Sequence, residues 1–438
     1  MKRILSTMLL VVLLASVFVG CAPKAIEAPS AATEAPVAAG SVTLEVWGFQ
    51  YSEPFMAWLD SAFAQFITEH PAVKAINMSE KNDNDLEVGL ITAAAAGELP
   101  DVFINATSFG AANVQAGVLN NIYDRWMAMP ETYRSQFPPV IVEALTPEPG
   151  KMYALPFTSY GYVMYRNLTV LRAAGIDPAV PAKTMDEWLA QMQKVKDAGY
   201  ATVVPNFSLD IRAARIMYNS FAQEGEWGID FTNNKSLINP EAWVKTGEFL
   251  LKVKPFASAS SFGDQGINDL FINNQLAFTI GGPWVEPTFG AAKTASGLDY
   301  DFTVIPGVTA DRSSDVSGGE YISIDTNGKN ADLAWELATF LCDEPQMYTA
   351  AETTGQTIYN QTAMERVTNP LVKTVFQGLA MGPVLLDAPP YFVEPYPDNY
   401  EQVIADNMNA IYEGTMTPQE AVAALFPELA TLIADRNK

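Results

Sequence analysis

Residues 42–105 read VTLEVWGFQYSEPFMAWLDSAFAQFITEHPAVKAINMSEKNDNDLEVGLITAAAAGELPDVFIN, and the order of patterns inside them decides the fold. Val42 to Trp47 alternates as a strand. Pro54 to Glu69 sets Phe55, Leu59, Ala62, Phe63 and Phe66 on one helical face, and Pro71 stops it. Val73 to Met78 reads as a second strand, Asp85 to Ala96 as a helix ended by Gly97 and Pro100, and Asp101 to Asn105 as a third strand. A β-α-β-α-β order implies a parallel sheet covered by helices, with right-handed crossovers.

Further along, Pro147 to Pro156 breaks the pattern with three prolines and a glycine. Tyr160 to Arg166 resumes as one strand. Thr184 opens a helix by a capping box with Glu187, and the helix runs to Ala198 before Gly199. Tyr200 to Val204 is a strand, with helices near Ile211 to Gln223, Pro240 to Val253 and Gln265 to Asn274. Leu276 to Ile280 is a strand that runs into Gly281-Gly282-Pro283-Trp284. Another β-α-β passage has strands at Asp301 to Ile305 and Tyr321 to Asp325 and a helix from Ala331 to Cys342. The last third is helical, with a second capping box at Thr417 and Glu420 and Pro418 at the first helical position. Two α/β halves result, a pattern that by itself leaves enzymes and binding proteins both open.

Upstream of Val42 the chain reads as an address. Lys2 and Arg3 precede an apolar run from Ile4 to Val19, too short for a comfortable membrane span of roughly 20 residues but suited to a secretory signal over residues 1–20. Gly20-Cys21 at its end resembles a bacterial lipobox, in which the cysteine is lipidated and becomes the first mature residue; Phe18 stands where that pattern has an aliphatic residue. Residues 21–40 then hold alanine, proline, serine and glutamate with no aromatic residue, a tether that builds no core. The expected location is the extracytoplasmic face of the cell envelope, anchored through lipid on Cys21.

Composition removes several classes of function. The formal charge is −24, from 26 basic and 50 acidic residues, and loss of Lys2 and Arg3 makes it −26, which argues against nucleic acid and an anionic membrane surface. His70 is the only histidine, which argues against serine-histidine triads and histidine-rich zinc sites. Besides Cys21 the only cysteine is Cys342, on the apolar side of a helix, so no intramolecular disulfide forms in the mature chain. No cofactor and no metal are expected.

Several motifs in register carry a resemblance. Ala95-Ala96-Gly97-Glu98-Leu99-Pro100-Asp101-Val102, Gly150-Lys151-Met152-Tyr153-Ala154-Leu155-Pro156 and Tyr165-Arg166-Asn167 come first. Ala174-Gly175-Ile176 through Trp188, Asn274 through Trp284, Gly318-Gly319-Glu320 and Thr417 to Ala421 follow in order. Together they resemble the extracellular solute-binding proteins of ABC importers, in the carbohydrate-binding family related to maltose-binding protein. Asn274-Gln275 and Gly355-Gln356-Thr357 depart from the family's pattern. The resemblance implies a type II-like two-lobed periplasmic-binding-protein fold, each lobe a mainly parallel sheet flanked by helices. Residues 41–150 plus about 306–324 would form the N-terminal lobe, and 151–305 plus about 325–438 the C-terminal lobe. Crossovers would lie near Pro147 to Pro156, Ile305 to Gly307 and Ser323 to Gly328. The implied role is capture of a sugar by hinge closure and its delivery to ABC permease subunits driven by a separate ATPase. The expected state is a monomer without catalytic residues.

Sugars offer ring-plane hydroxyls and C–H faces, so a site needs planar hydrogen-bonding groups around an aromatic platform. Trp284, lifted out of its strand by Gly281, Gly282 and Pro283, matches the family's stacking aromatic, with a core role as the alternative. Trp47, Phe49 and Tyr51 follow the first strand. Asp83 and Asn84 follow the second, where either could bind hydroxyls or cap the next helix. Asn105 and Thr107 follow the third. Ser159, Tyr160, Asn206 and Trp227 are candidates in the second half, as are Gly319 and Glu320, where glycine admits a ligand to the backbone, and Tyr391 in a proline-rich stretch beside Tyr396. Core packing is the alternative for each. A binding protein of the same fold for a polyol, phosphodiester or peptide is a second possibility, although the candidate loops offer only Lys81 and Arg212 to a phosphate. A lipid-anchored glycoside hydrolase is a third; it needs a carboxylate pair that no local motif singles out.

Overall fold

In the computed structural model, which describes residues 40–106, 110–202, 211–230, 233–257, 264–315, 317–382 and 399–435, β1 (Val42–Phe49) lies between β2 (Val73–Lys81) and β3 (Val102–Ala106) and runs parallel to both. The helix Glu53–Glu69 returns the chain from β1 to β2 and buries Phe55, Trp58, Leu59, Phe63 and Phe66. The helix Asp83–Ala96 returns it to β3 and stops at Gly97, whose φ of 71° is a left-handed cap that suits glycine. The expected β-α-β-α-β unit is therefore present.

Three more strands complete this sheet in the order β11-β4-β10-β3-β1-β2. They are β4 (Leu155–Tyr160), β10 (Gly318–Ile324) and β11 (Thr357–Ile358). β10 is antiparallel to both β3 and β4. The second sheet has β5 (Val163–Asn167) between β8 (Phe278–Gly281) and β9 (Tyr300–Thr303), antiparallel to each. A small hairpin pairs β6 (Ile229–Asp230) with β7 (Lys235–Ser236). The architecture is two-lobed α/β, but the pairing is mixed rather than mainly parallel. β10 re-enters the first sheet from the other lobe and so arrives running against β3.

The single strand expected from Tyr160 to Arg166 is two strands in two sheets, separated only by Gly161 and Tyr162. The first crossover is therefore there and not at Pro147 to Pro156, where Met152 and Tyr153 are buried in the first core. The lobe boundary expected near 325 also moves. The helices Ala331–Cys342 and Glu344–Thr354 pack on the first core through Leu337, Leu341, Cys342 and Met347, because a helix that follows β10 by a short turn folds onto the sheet just left. Cys342 is fully buried, as a small apolar residue on that face would be. Of the strand expected at Tyr200 to Val204 the described part shows a parallel bridge from Ala201 to Leu276.

The second core gathers the helices Met185–Asp197, Pro240–Val253, Tyr400–Glu413 and Pro418–Asp435 around Trp188 and Trp243, both fully inaccessible. Each tryptophan removes roughly 200 Å² from water, about 5 kcal/mol at 25 cal/mol per Å² before the opposing entropy. The capping boxes at Thr184 and Thr417 both form. Residues 1–39, which include the expected signal, Cys21 and nearly all of the expected tether, lie outside the described residues, and among those described no helix is long and apolar enough to cross a membrane.

Candidate functional site

The carboxyl ends of β1, β3 and β4 meet the amino end of β10, and that is where polar and aromatic candidates converge. Pairing along β10 and β4 shifts register between Gly319 and Tyr321, with Gly319 opposite Ser159 and Tyr321 opposite Pro156. Such irregularities re-aim side chains. Glu320 sits at this shift. Its Oε2 accepts the Tyr51 hydroxyl at 2.9 Å and the Thr158 hydroxyl at 2.8 Å. A carboxylate fixed by two hydroxyl donors is a preoriented acceptor.

The two glycines before it are required by their neighbours. A Cβ on Gly318 would lie 2.0 Å from Cζ of Tyr160, and one on Gly319 would lie 2.0 Å from the Tyr359 hydroxyl. Tyr359 also donates to the Gly318 carbonyl at 3.2 Å. Burial pushes the Tyr321 phenol up to about 12 and that of Tyr359 well above its usual value, so both rings beneath the glycines stay neutral.

Tyr160 links this polar group to Trp284. The short helical turn Pro283–Val285 after β8 carries Trp284, whose ring folds back over Gly282 and is 44% exposed. It meets Tyr160 edge to face at 6.0 Å and Tyr162 at 5.6 Å. Tyr160 and Tyr162 are themselves perpendicular at 6.1 Å. A large exposed aromatic held by two others, one of which packs on Gly318 of the strand that carries the oriented carboxylate, can take a flat ligand that has an apolar face and a hydroxylated edge.

The remaining candidates divide. Phe49 is buried and supports Tyr51, with which it forms an edge-to-face pair at 6.3 Å. Ser159 is buried, and its hydroxyl has no hydrogen-bond partner among the described residues. Trp47 packs on the first core, with the Lys81 ammonium 4.4 Å from its ring. Asn105, one residue from the end of β3 and opposite Tyr321, is fully buried and donates to Ser323 at 2.9 Å, while Ser323 donates to the Tyr153 carbonyl; its side chain braces the sheet from inside. Trp227 is likewise a core residue, covered by Tyr218 at 5.4 Å and the Arg215 guanidinium at 5.4 Å, so the protein itself supplies the cover that its glycine-flanked loop calls for. The helix cap left open between Asp83 and Asn84 falls to Asn82, which accepts from the Asp85 amide at 3.0 Å. The side chains of Asp83, Asn84 and Arg212, and residues Thr107, Asn206, Tyr391 and Tyr396, lie outside the described residues.

Thr158, Tyr162 and Tyr359 were not legible as site neighbours. Tyr162 alone left a trace, as the second aromatic of Tyr160-Gly161-Tyr162. A groove of about 870 Å³ at the opposite, amino ends of β1 and β3 is lined by Thr43, Asp101 and Asp325, and Asp101 there is engaged by the Glu45 amide and Asn330.

The fold has counterparts among known proteins. The chain is similar to a maltotriose-binding protein of Pyrococcus abyssi, 26% identical over 271 residues, 60% of this chain and 55% of the relative. It is also similar to a galactooligosaccharide-binding protein of Bacillus subtilis, 27% identical over 220 residues, 47% of this chain and 49% of the relative. The chain thus spans about half the length of the curated relatives it matches. The GacH receptor of Streptomyces glaucescens, solved unliganded and with acarbose, superposes with a TM-score of 0.74 at 18% identity, over 90% of this chain and 98% of that one. The Thermus thermophilus maltotriose binding protein bound with maltotriose gives 0.71 at 18%, over 89% and 100%. These likenesses carry the two-lobed fold. The family model described as bacterial extracellular solute-binding protein matches residues 61–374, a stretch that takes in strands of both sheets, and to that family the chain belongs.

Proposed function

We propose that the protein is the receptor of an ABC importer and captures a neutral sugar or oligosaccharide between its lobes by hinge closure. The observation that carries this reading is the exposed Trp284, held edge to face by Tyr160 and Tyr162, with Tyr160 in turn packed on Gly318 of the strand that carries the Glu320 carboxylate. Trp284 would take the C–H face of a sugar ring, while Glu320 and the Tyr51 and Thr158 hydroxyls would meet its edge. Membership of an extracellular solute-binding family supports the same role, as do relatives whose names specify maltotriose and galactooligosaccharide. Ligand would favour the closed form because only that form touches it from both sides. Lipid on Cys21 and the tether to Gly40 would hold the receptor outside the membrane beside its permease, raising their effective concentration. No turnover is part of this role.

The test is a thermal-shift screen over mono- and oligosaccharides, with chromatography of the incubated sugars. A ligand at a hundredfold excess over Kd stabilises by about 2.7 kcal/mol. Stabilisation with the sugar recovered intact supports a receptor. Sugar cleavage would indicate a hydrolase instead, and silence across the panel alongside a response to polyols, phosphodiesters or peptides would move the ligand class.

A further inference from the structure

The chain passes between the two sheets three times among the described residues, and the three passages meet at one buried side chain. The first passage is Gly161-Tyr162, between β4 and β5. The second runs from the end of β9 to the start of β10. The third is the helix Pro370–Ala380, which places Val372 in the core of the first sheet and Leu371 and Val375 against Val163 and Tyr165 of the second. Asp315, on the second passage, is 1% exposed. Its Oδ1 accepts the Tyr162 amide of the first passage at 2.8 Å. Its Oδ2 lies where a Cβ on Gly161 would come within 3.1 Å and one on Gly378, in the third passage, within 3.0 Å. Glycine at both positions is what lets the two other chains reach the carboxylate.

The second passage is built to present that group firmly. Ser313 and Ser314 donate to the carbonyls of Ile305 and Pro306 at 3.1 and 2.9 Å, closing the loop on itself. Asn219 donates to the Asp315 carbonyl, and Arg312 donates to the carbonyls of Asn219 and Ala222. Burying a carboxylate is expensive, and an apolar residue would pack the same space more cheaply. We propose that Asp315 is a positioning residue that fastens the three passages into one hinge, so that the lobes move about a common point. This inference rests on the reading that the lobes close, and its test uses the ligand-free chain, so a failure to bind sugar does not touch it.

Amide hydrogen exchange and small-angle scattering of the full chain would compare wild type with Asp315→Ala, Asp315→Asn and, as a control, Asn407→Ala. Asn407 accepts from Trp243 and donates to the Ala421 carbonyl inside the second core, remote in sequence from all three passages. Alanine at 315 leaves the Tyr162 amide buried without its acceptor, so exchange there should rise about tenfold or more. It should rise together at residues 304–315 and 376–380, with a larger radius of gyration. Asparagine keeps an acceptor and should hold the Tyr162 amide near wild type. Exchange confined to Tyr162, or the same three-passage pattern in Asn407→Ala, would overturn the proposal. If Asp315→Ala does not fold, Gly378→Ala puts a methyl against the same carboxylate; a coordinated rise at the first two passages supports the hinge, and none refutes it.

Discussion

Replacing Trp284 with alanine separates a binding platform from a core tryptophan, because the structure sizes both effects. The residue is 44% exposed, so of a side chain of roughly 250 Å² about 110 Å² is open and about 140 Å² is packed. At 25 cal/mol per Å² the packed part is worth about 3.5 kcal/mol to the fold as an upper bound, the loss expected on truncation with the edge-to-face contacts to Tyr160 and Tyr162. Covering the open part with a sugar face would contribute about 2.7 kcal/mol by the same coefficient, which is a hundredfold in Kd. Calorimetric titration with the sugar found by screening should therefore show a Kd raised about a hundredfold, alongside a measurable fall in unfolding temperature. Trp284→Phe should lie between. A Kd within about threefold of wild type, with stability reduced as calculated, would leave Trp284 as a packing residue and remove it from the site.

Two further outcomes concern the second lobe. Thr184→Ala breaks a reciprocal cap in which Thr184 accepts from the Glu187 amide and Glu187 accepts from the Thr184 amide, each at 3.2 Å; urea unfolding should show a loss of about 1 kcal/mol, and an unchanged midpoint would mean the helix start is held by Trp188 and Met192 alone. Burial raises the Glu286 carboxyl above its ordinary range, against the opposing pull of Tyr300, which donates to it at 2.8 Å, and of Lys293. The native chain therefore keeps this proton to higher pH than the unfolded chain, so the group's stabilising contribution is complete below the ordinary glutamate range near pH 4 and is lost as pH rises through the raised value. Glu286→Gln should gain stability relative to wild type from pH 4 to pH 7, and parallel stability profiles would refute the shift.

Local signals were legible where one segment suffices to set them. The helix over Asp85–Ala96 was visible because its stop, Gly97-Glu98-Leu99-Pro100, acts within one turn, and the caps at Thr184 and Thr417 because a side chain reaches only three residues. The helix Pro240–Val253 emerged with its expected bounds, having Pro240 at its first position and a one-sided row of Ala242, Trp243, Phe249, Leu250 and Val253. Tyr160 to Arg166 misled for the opposite reason. Its residues suit a strand throughout, and nothing local records that Tyr160 and Val163 pair with strands in different sheets.

The site divides along the same line. Trp284 announced itself by the glycines and proline that lift it from β8, a constraint written in four consecutive residues. Trp227 carried a similar glycine-flanked signal yet is buried, because its cover comes from Tyr218 and Arg215 on another element. By itself the sequence determined the α/β class, the helix ends, the acidic balance and the aromatic that leaves its strand, since each depends on neighbours along the chain. Only the tertiary structure decided that Glu320 is held by Tyr51 and Thr158, 269 and 162 residues away, and that Asp315 meets Tyr162 across 153. Hydrogen bonds of that span form when two sheets and three passages have closed around them, and a buried carboxylate finds its donors there only because the whole fold delivers them.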